Sequence, residues 1–258
     1  MAQVFEATFS EANTLKKLID SVKDLISDVN LDITPQGLSL QSMDSAHVAL
    51  VSLTLSKDGF HKYRAEKPMT IGLSISNLGK VLKLANQDDR LTLRSKDNDS
   101  SLEIVFENER QNKKTEFLLN LISLDSDHMG VPEQGLSSEI AMNSYDFSKL
   151  CKELHSLSET VNIRASSSFV QFAVDGEIGS GKVRIETGDP KKDENPEGDI
   201  NLSFALRYLN MFNKASPLSN YVKLLLSNDA PLVVEYAIDK YGTLRYYLAP
   251  KVNEDAQC

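Results

Sequence analysis

Two stretches of this sequence share one spacing of apolar residues at a shift of 132 positions: TLKKLIDSVKDLISDVNL (14–31) and DFSKLCKELHSLSETVNI (146–163). The shift sets Leu18 on Leu150, Val22 on Leu154, Leu25 on Leu157, Val29 on Val161 and Leu31 on Ile163, then continues into Leu38 on Val170 and Leu40 on Phe172. A second pair of segments agrees at a shift of 131, with Leu78 on Leu209, Val81 on Phe212 and Lys83 on Lys214. Solenoids repeat every roughly 20–50 residues, whereas a period near 130 is the length of a domain. The chain therefore reads as two similar domains in tandem.

Helical spacing of apolar residues marks four windows, 13–26 and 75–86 in the first half and 145–157 and 205–215 in the second. Leu15, Leu18, Ile19, Val22, Leu25 and Ile26 line one face of the first window, and Leu78, Val81, Leu82 and Ala85 one face of the second. Alternation at period two dominates elsewhere, as in Leu91 and Leu93, Leu102, Ile104 and Phe106, Val170 and Phe172, or Val183 and Ile185. Residues 232–238 and 244–248 read as a hairpin that turns at 240–243. Strands at 116–122 and 139–142 flank SLDSDHMGVPEQGLSS, where Gly130, Pro132 and Gly135 mark an extended surface linker. The expected fold is α+β, with two topologically similar domains at residues 1–121 and 139–258 and a connecting linker at 122–138. Residues 107–116 and 186–199 read as solvated loops with no chemistry assigned.

The 258 residues are 41% apolar, enough for a core in each half, and no apolar run approaches the roughly 18 residues that span a bilayer. The first residues have neither a basic segment nor an apolar one, so no signal peptide is expected. Two distant cysteines, Cys151 and Cys258, read as reduced thiols of an intracellular protein.

A net charge of −9 argues against simple adhesion to nucleic acid, unless the positive charge is concentrated somewhere. It is concentrated in the helical windows. They hold nine basic residues, Lys16, Lys17, Lys23, Lys80, Lys83, Lys149, Lys152, Arg207 and Lys214, against four acidic ones, Asp20, Asp24, Asp146 and Glu153. The rest of the chain has 19 basic and 33 acidic residues. Lysine is a good helix former and often just solvates a helix, but glutamate is equally good and dominates elsewhere in this chain. A shared basic surface suited to a phosphate backbone is the better reading.

The sequence holds no convincing active site. Residues 176–182 match the first part of a phosphate-binding loop, yet Val183 stands where a Ser or Thr is needed. A strand pattern follows in place of a helix, so the segment reads as a hairpin turn. The histidines His47, His61, His128 and His155 lack metal-ligand spacing, no nucleophile elbow appears, and Asp125 and Asp127 lie in the polar linker. No cofactor or metal is expected.

Four strings, SLQSMDSAHVALVSLTL (39–55), FALRYLNMFNKASPLS (204–219), APLVVEY (230–236) and YYLAPK (246–251), closely resemble the proliferating cell nuclear antigen family of eukaryotic DNA sliding clamps. Leu124 with Asp125, and DGEIGSG at 175–181, also match, and the resemblance runs essentially end to end. It implies a nuclear, non-enzymatic homotrimer, a ring lined by helices and walled by antiparallel sheets, that encircles double-stranded DNA without sequence preference. It implies a processivity factor for DNA polymerase, placed by a clamp loader, that docks replication and repair proteins through peptides with a Gln and paired aromatics.

The family's DNA-facing positions match the same nine basic residues, although Ser156, beside His155, stands where a further basic residue is common. Its partner-peptide pocket corresponds to Met43, His47, Val48, Leu50, Met129, Val131, Pro132, Pro231, Tyr247, Ala249 and Pro250. Strand pairing between residues 116–121 of one copy and 182–186 of the next, anchored by Phe117, would form the trimer seam. Where the family commonly has a modifier-accepting lysine, this chain has Ser167, so that switch does not carry over. The alternatives are a subunit of a related heterotrimeric checkpoint clamp, a nucleotide-using enzyme at 176–182, and a structural oligomer unrelated to DNA.

Overall fold

A computed structural model describes residues 3–96, 99–125, 138–166, 168–186 and 200–251. The chain divides into two compact units, residues 1–129 with 237–244, and residues 130–236 with 245–258. The first contains β1 (Gln3–Phe9), α1 (Ala12–Val22), β2 (Asp28–Thr34), β3 (Gly37–Met43), β4 (Ala49–Ser56), β5 (Lys62–Ala65), β6 (Met69–Ser74), α2 (Ile75–Leu82), β7 (Arg90–Lys96), β8 (Ser101–Asn108) and β9 (Lys113–Asn120). Its strands form antiparallel sheets in the orders β5-β1-β7-β8-β9 and β4-β3-β2-β6.

The second unit contains β10 (Ser138–Asn143), α3 (Ser144–His155), β11 (Thr160–Ala165), β12 (Phe169–Gly176), β13 (Gly179–Glu186), β14 (Ile200–Ala205), α4 (Leu206–Phe212), β15 (Tyr221–Leu226) and most of β16 (Leu232–Ile238) and β17 (Gly242–Leu248), whose hairpin end, residues 237–244, belongs to the first unit. Its sheets run β10-β15-β16-β17 and β13-β12-β11-β14. With β5 set aside, the two units match strand for strand and helix for helix. The registers match too. Leu31 lies opposite Leu40 and Ile71 in the first unit, and Ile163 opposite Phe172 and Leu202 in the second. The repeated apolar spacing is thus a repeated strand pairing, because a one-residue slip would turn the whole apolar set outward. The α+β expectation of two similar domains holds.

Three sequence expectations change. Each helix is shorter than its window at the C-terminal end: α1 stops at Val22, α2 at Leu82, α3 at His155 and α4 at Phe212. Single tight turns follow, as in Leu25 N–H to Val22 O at 2.9 Å and Leu84 N–H to Val81 O at 3.0 Å. Leu25, Ile26 and Ala85 on those turns are buried, so the apolar spacing runs on after the helix has ended. After α4 comes a 3-10 stretch, Asn213–Leu218, that contains Pro217. Residues 107–116 are no loop: the paired strands β8 and β9 take all of that span except 109–112. They read as loop because an exposed edge strand pairs its backbone whatever its side chains are. Strand β5 escaped the sequence reading, since KYRA is four residues of mostly polar, partly exposed chain.

Both hairpins expected at 240–243 and 176–182 form. Gly176 pairs with Gly179 across a two-residue turn. Gly242 has φ +153°, and a Cβ there would lie 2.0 Å from the Thr54 carbonyl oxygen, so only glycine fits that close approach. Beside it, Tyr241 joins an aromatic cluster with Phe9 and Phe60, at ring separations of 5.4 and 5.6 Å. In the second unit, Phe212 at the end of α4 stacks on Tyr246 at 4.5 Å.

On the first unit's five-stranded sheet, the almost fully buried Glu6 of β1 is flanked by Lys62 of β5 at 2.6 Å and Arg94 of β7 at 3.2 Å. Burial alone would raise the Glu6 carboxyl, but hydrogen bonds and charge from Lys62 and Arg94 outweigh it and hold the group below its ordinary value of 4.5. A carboxyl lowered on folding contributes stability above 4.5 that fades as pH falls through the folded value. Glu6→Gln should cost about 1–2 kcal/mol of stability at pH 7, a charge-assisted hydrogen bond's worth discounted for the exposed Lys62. In urea titrations at stepped pH, the gap between the two proteins should narrow below pH 4.5. A gap independent of pH would contradict this account.

Candidate nucleic-acid interface

Helices α1 and α2 pack together in the first unit, and α3 and α4 in the second. Their apolar faces decide where the basic residues stand. Leu15, Leu18, Ile19 and Val22 of α1, and Ile75, Leu78, Val81 and Leu82 of α2, are buried, as are Phe147, Leu150, Cys151 and Leu154 of α3 and Leu206, Leu209 and Phe212 of α4. The opposite faces are solvated. There Lys80, Lys149, Lys152 and Arg207 are exposed, and Lys16 and Lys17 half-buried. Lys23 and Lys83 stand exposed at the C-caps of α1 and α2, and Lys214 stands exposed on the 3-10 stretch after α4. Every basic residue named from the sequence is thus on or just past a helix, none of them buried.

Their contacts differ. Lys23 pairs with Asp20 at 2.6 Å and Lys149 with Glu153 at 3.8 Å, both exposed pairs of little strength that can yield to phosphate. The Arg207 guanidinium lies 4.8 Å from the centre of the Tyr208 ring. Lys16 is committed: its ammonium donates to the carbonyl of Ala85, tying α1 to the turn after α2. Ser156 and His155 are exposed at the end of α3, and Asn210 of α4 reaches His155 Nδ1 at 3.1 Å.

Of the proposed peptide contacts, Met43, His47, Val48 and Leu50 belong to the first unit and Pro231, Tyr247, Ala249 and Pro250 to the second. Met129, Val131 and Pro132 lie outside the described residues, as does Ser167. His47 and Ala249 are exposed, Met43, Val48, Pro231 and Pro250 half-buried, and Leu50 and Tyr247 buried. One residue that sequence reasoning missed organises the first group. The buried Asp44 carboxylate accepts the backbone N–H groups of Val48 and Ala49, each at 2.8 Å. It also accepts that of Ala46 at 3.3 Å, holding His47 at φ +56°. An Asp at the head of a short turn between two strands was the available signal. A cavity of about 510 Å³ opens beside Met43 and His47, lined also by Asp28, Asp32, Gln41 and Asp125.

Strands β9 and β13 are sheet edges. Phe117 of β9 is 39% exposed, its neighbour Leu118 63%, and Ile178, at the turn into β13, 80%.

Nucleophile and metal chemistry find little support here. Burial pushes the Cys151 thiol up to about 12, outweighing a hydrogen bond from Asn213, so at neutral pH it is no thiolate. Among the described residues no group of His, Cys, Asp and Glu is placed to hold a metal ion. Beyond Gly179 the chain continues as strand β13, which offers no helix N-terminus to a nucleotide phosphate.

Against models of known protein families, residues 4–129 match the proliferating cell nuclear antigen N-terminal domain and residues 130–251 match its C-terminal domain.

Proposed function

Since the chain belongs to the proliferating cell nuclear antigen family of DNA sliding clamps, we propose that three copies close into a ring around duplex DNA and act as a processivity factor for DNA polymerase. Family membership itself makes the chain a non-catalytic, nuclear DNA sliding clamp. The ring, the polymerase role and the residues that serve them are the proposal. The observation that carries it is the basic solvent face on the helices of an otherwise acidic chain. Such a face suits a sequence-independent phosphate backbone, while the acidic remainder repels DNA. A topological tether then raises the local concentration of whatever it carries.

We assign DNA contact to Lys17, Lys23, Lys80, Lys83, Lys149, Lys152, Arg207 and Lys214, with Lys16 sharing its charge between DNA and the Ala85 carbonyl. Residues 122–138 serve as the interdomain linker. The trimer seam joins β9 of one copy to β13 of the next. In its favour, the exposed large apolar residues Phe117, Leu118 and Val183 are on these two edges, and Ile178 is at the turn into β13. Edges of this kind invite pairing with another chain. Clamp loader, polymerase and repair proteins dock through peptides at the Met43–Leu50 loop, at Met129, Val131 and Pro132 of the linker, and at Pro231, Tyr247, Ala249 and Pro250.

Changing Lys80, Lys83, Lys149 and Arg207 together to alanine should leave the fold and the trimer intact and cut clamp-dependent DNA synthesis at low salt. The deficit should shrink as salt rises, because the lost contacts are already screened. Full activity of the quadruple variant at low salt would sink the DNA-facing assignment.

Phe117→Ala should leave monomers at low micromolar concentration by light scattering, and a persisting trimer would rule out the β9–β13 seam. Val48→Ala should weaken a Gln-plus-aromatic peptide by more than ~1 kcal/mol in calorimetry, a hot-spot loss. Unchanged affinity there would put partner docking elsewhere.

A further inference from the structure

The solvent face of α3 carries one side chain that the charge pattern leaves unexplained. Tyr145, 73% exposed, is the second residue of the helix. Among the described residues its hydroxyl makes no hydrogen bond and its ring meets no other ring. Tyr208, Tyr236, Tyr241, Tyr246 and Tyr247 are buried and Tyr63 is half-buried, while Tyr221 at the start of β15 is exposed like Tyr145, at 66%. Tyr145 does nothing visible for the fold.

Its position is nevertheless well fixed. Asn143 caps the helix by accepting the Tyr145 N–H at 2.9 Å and the Asp146 N–H at 3.2 Å. Ser144 donates through its hydroxyl to Ser219 O at 2.6 Å and through its backbone N–H to Asn220 O at 3.0 Å. From this anchored start, Tyr145, Lys149 and Lys152 follow one another at i, i+4 and i+7, a single row on the exposed face. At 1.5 Å rise per residue the two lysines stand about 6 and 10 Å along the axis from the tyrosine. Asp146 and Glu153 lie to one side of the row, about 80–100° around the helix.

An exposed flat ring at the head of two cations is the pattern of a single-strand binding surface, where a base stacks on the ring and phosphates lie along the cations. Continuous duplex keeps its bases inside and presents phosphate and sugar to a sequence-independent binder, leaving the ring without a partner face. We propose that Tyr145 is a stacking platform for an unpaired base, through which α3 binds single-stranded DNA flanking the duplex held by the basic helices. This rests on α3 facing DNA.

The test uses the full chain and fluorescence anisotropy at low salt, with a labelled 20-nucleotide oligothymidylate and a labelled 20-base-pair duplex. Tyr145→Ala should weaken binding of the single strand about tenfold, the scale of one lost base–aromatic stack. Duplex binding should change less than about twofold, and Tyr145→Phe should keep single-strand affinity. An equal loss on both DNAs, no loss on either, or no measurable binding of the single strand to the unaltered chain overturns the stacking role. So does loss of a protein partner with both DNA affinities unchanged. Lys149→Ala with Lys152→Ala separates the two readings. If that pair weakens duplex binding while Tyr145→Ala changes nothing, only the stacking role fails. If the lysine pair changes neither DNA, α3 does not face DNA at all.

Discussion

Burial of the apolar helix faces is the interaction on which the remaining features depend. The four helices are 7 to 12 residues long, too short to persist alone in water. Three of them, α1, α2 and α4, begin without a side-chain cap. Their helicity comes from packing Leu15, Leu18, Ile19 and Val22, and the corresponding sets on the other helices, against each other and the strands beneath. Once those faces are committed, only one face of each helix remains for solvent. The basic residues occupy it because nothing else is open to them.

The same packing position is solved differently in the two units. Gly79 of α2 faces Ile19 of α1, where an added Cβ would meet Ile19 Cγ2 at an ordinary van der Waals distance of 3.5 Å. The repeat puts Asn210 and Cys151 in their places. There Asn210 donates toward the Cys151 carbonyl oxygen at 3.4 Å and reaches His155 at 3.1 Å. Tyr236 donates to Asn213 at 2.9 Å nearby. A small residue and a branched apolar one interlock by shape, whereas an amide needs partners in fixed directions.

Charge and edge work together in a clamp. In the proposed assembly, the charge of the acidic chain and of its basic helices acts at long range and is screened by salt, which favours sliding over tight seating. Exposed apolar side chains on β9 and near β13 act only at contact. The first kind of force suits a partner that must move, and the second a partner that must stay.

The duplication was legible because apolar spacing reports which side of a strand or helix is buried, and the paired registers of Leu31 with Leu40 and Ile163 with Phe172 follow from it. The basic helices were legible for the same reason, since composition and periodicity together assign each lysine to the face away from the apolar row. The sequence also resolved the failed phosphate loop, because Val183 and the strand pattern after it are local facts. Tertiary structure alone decided the rest. Helix ends were hidden because Leu25, Ile26 and Ala85 bury on turns with helical spacing. Strand β5 is too short and polar to announce itself, and it exists because β1 offers it a ladder and Glu6 a charge partner for Lys62. Lys16 looks like any other basic residue until Ala85, 69 positions away, presents its carbonyl. Asp44 and Tyr145 are single residues whose roles depend on what does or does not surround them. Periodicity encodes which face is buried, but a contact between distant residues has no periodicity, so only the folded chain could decide it.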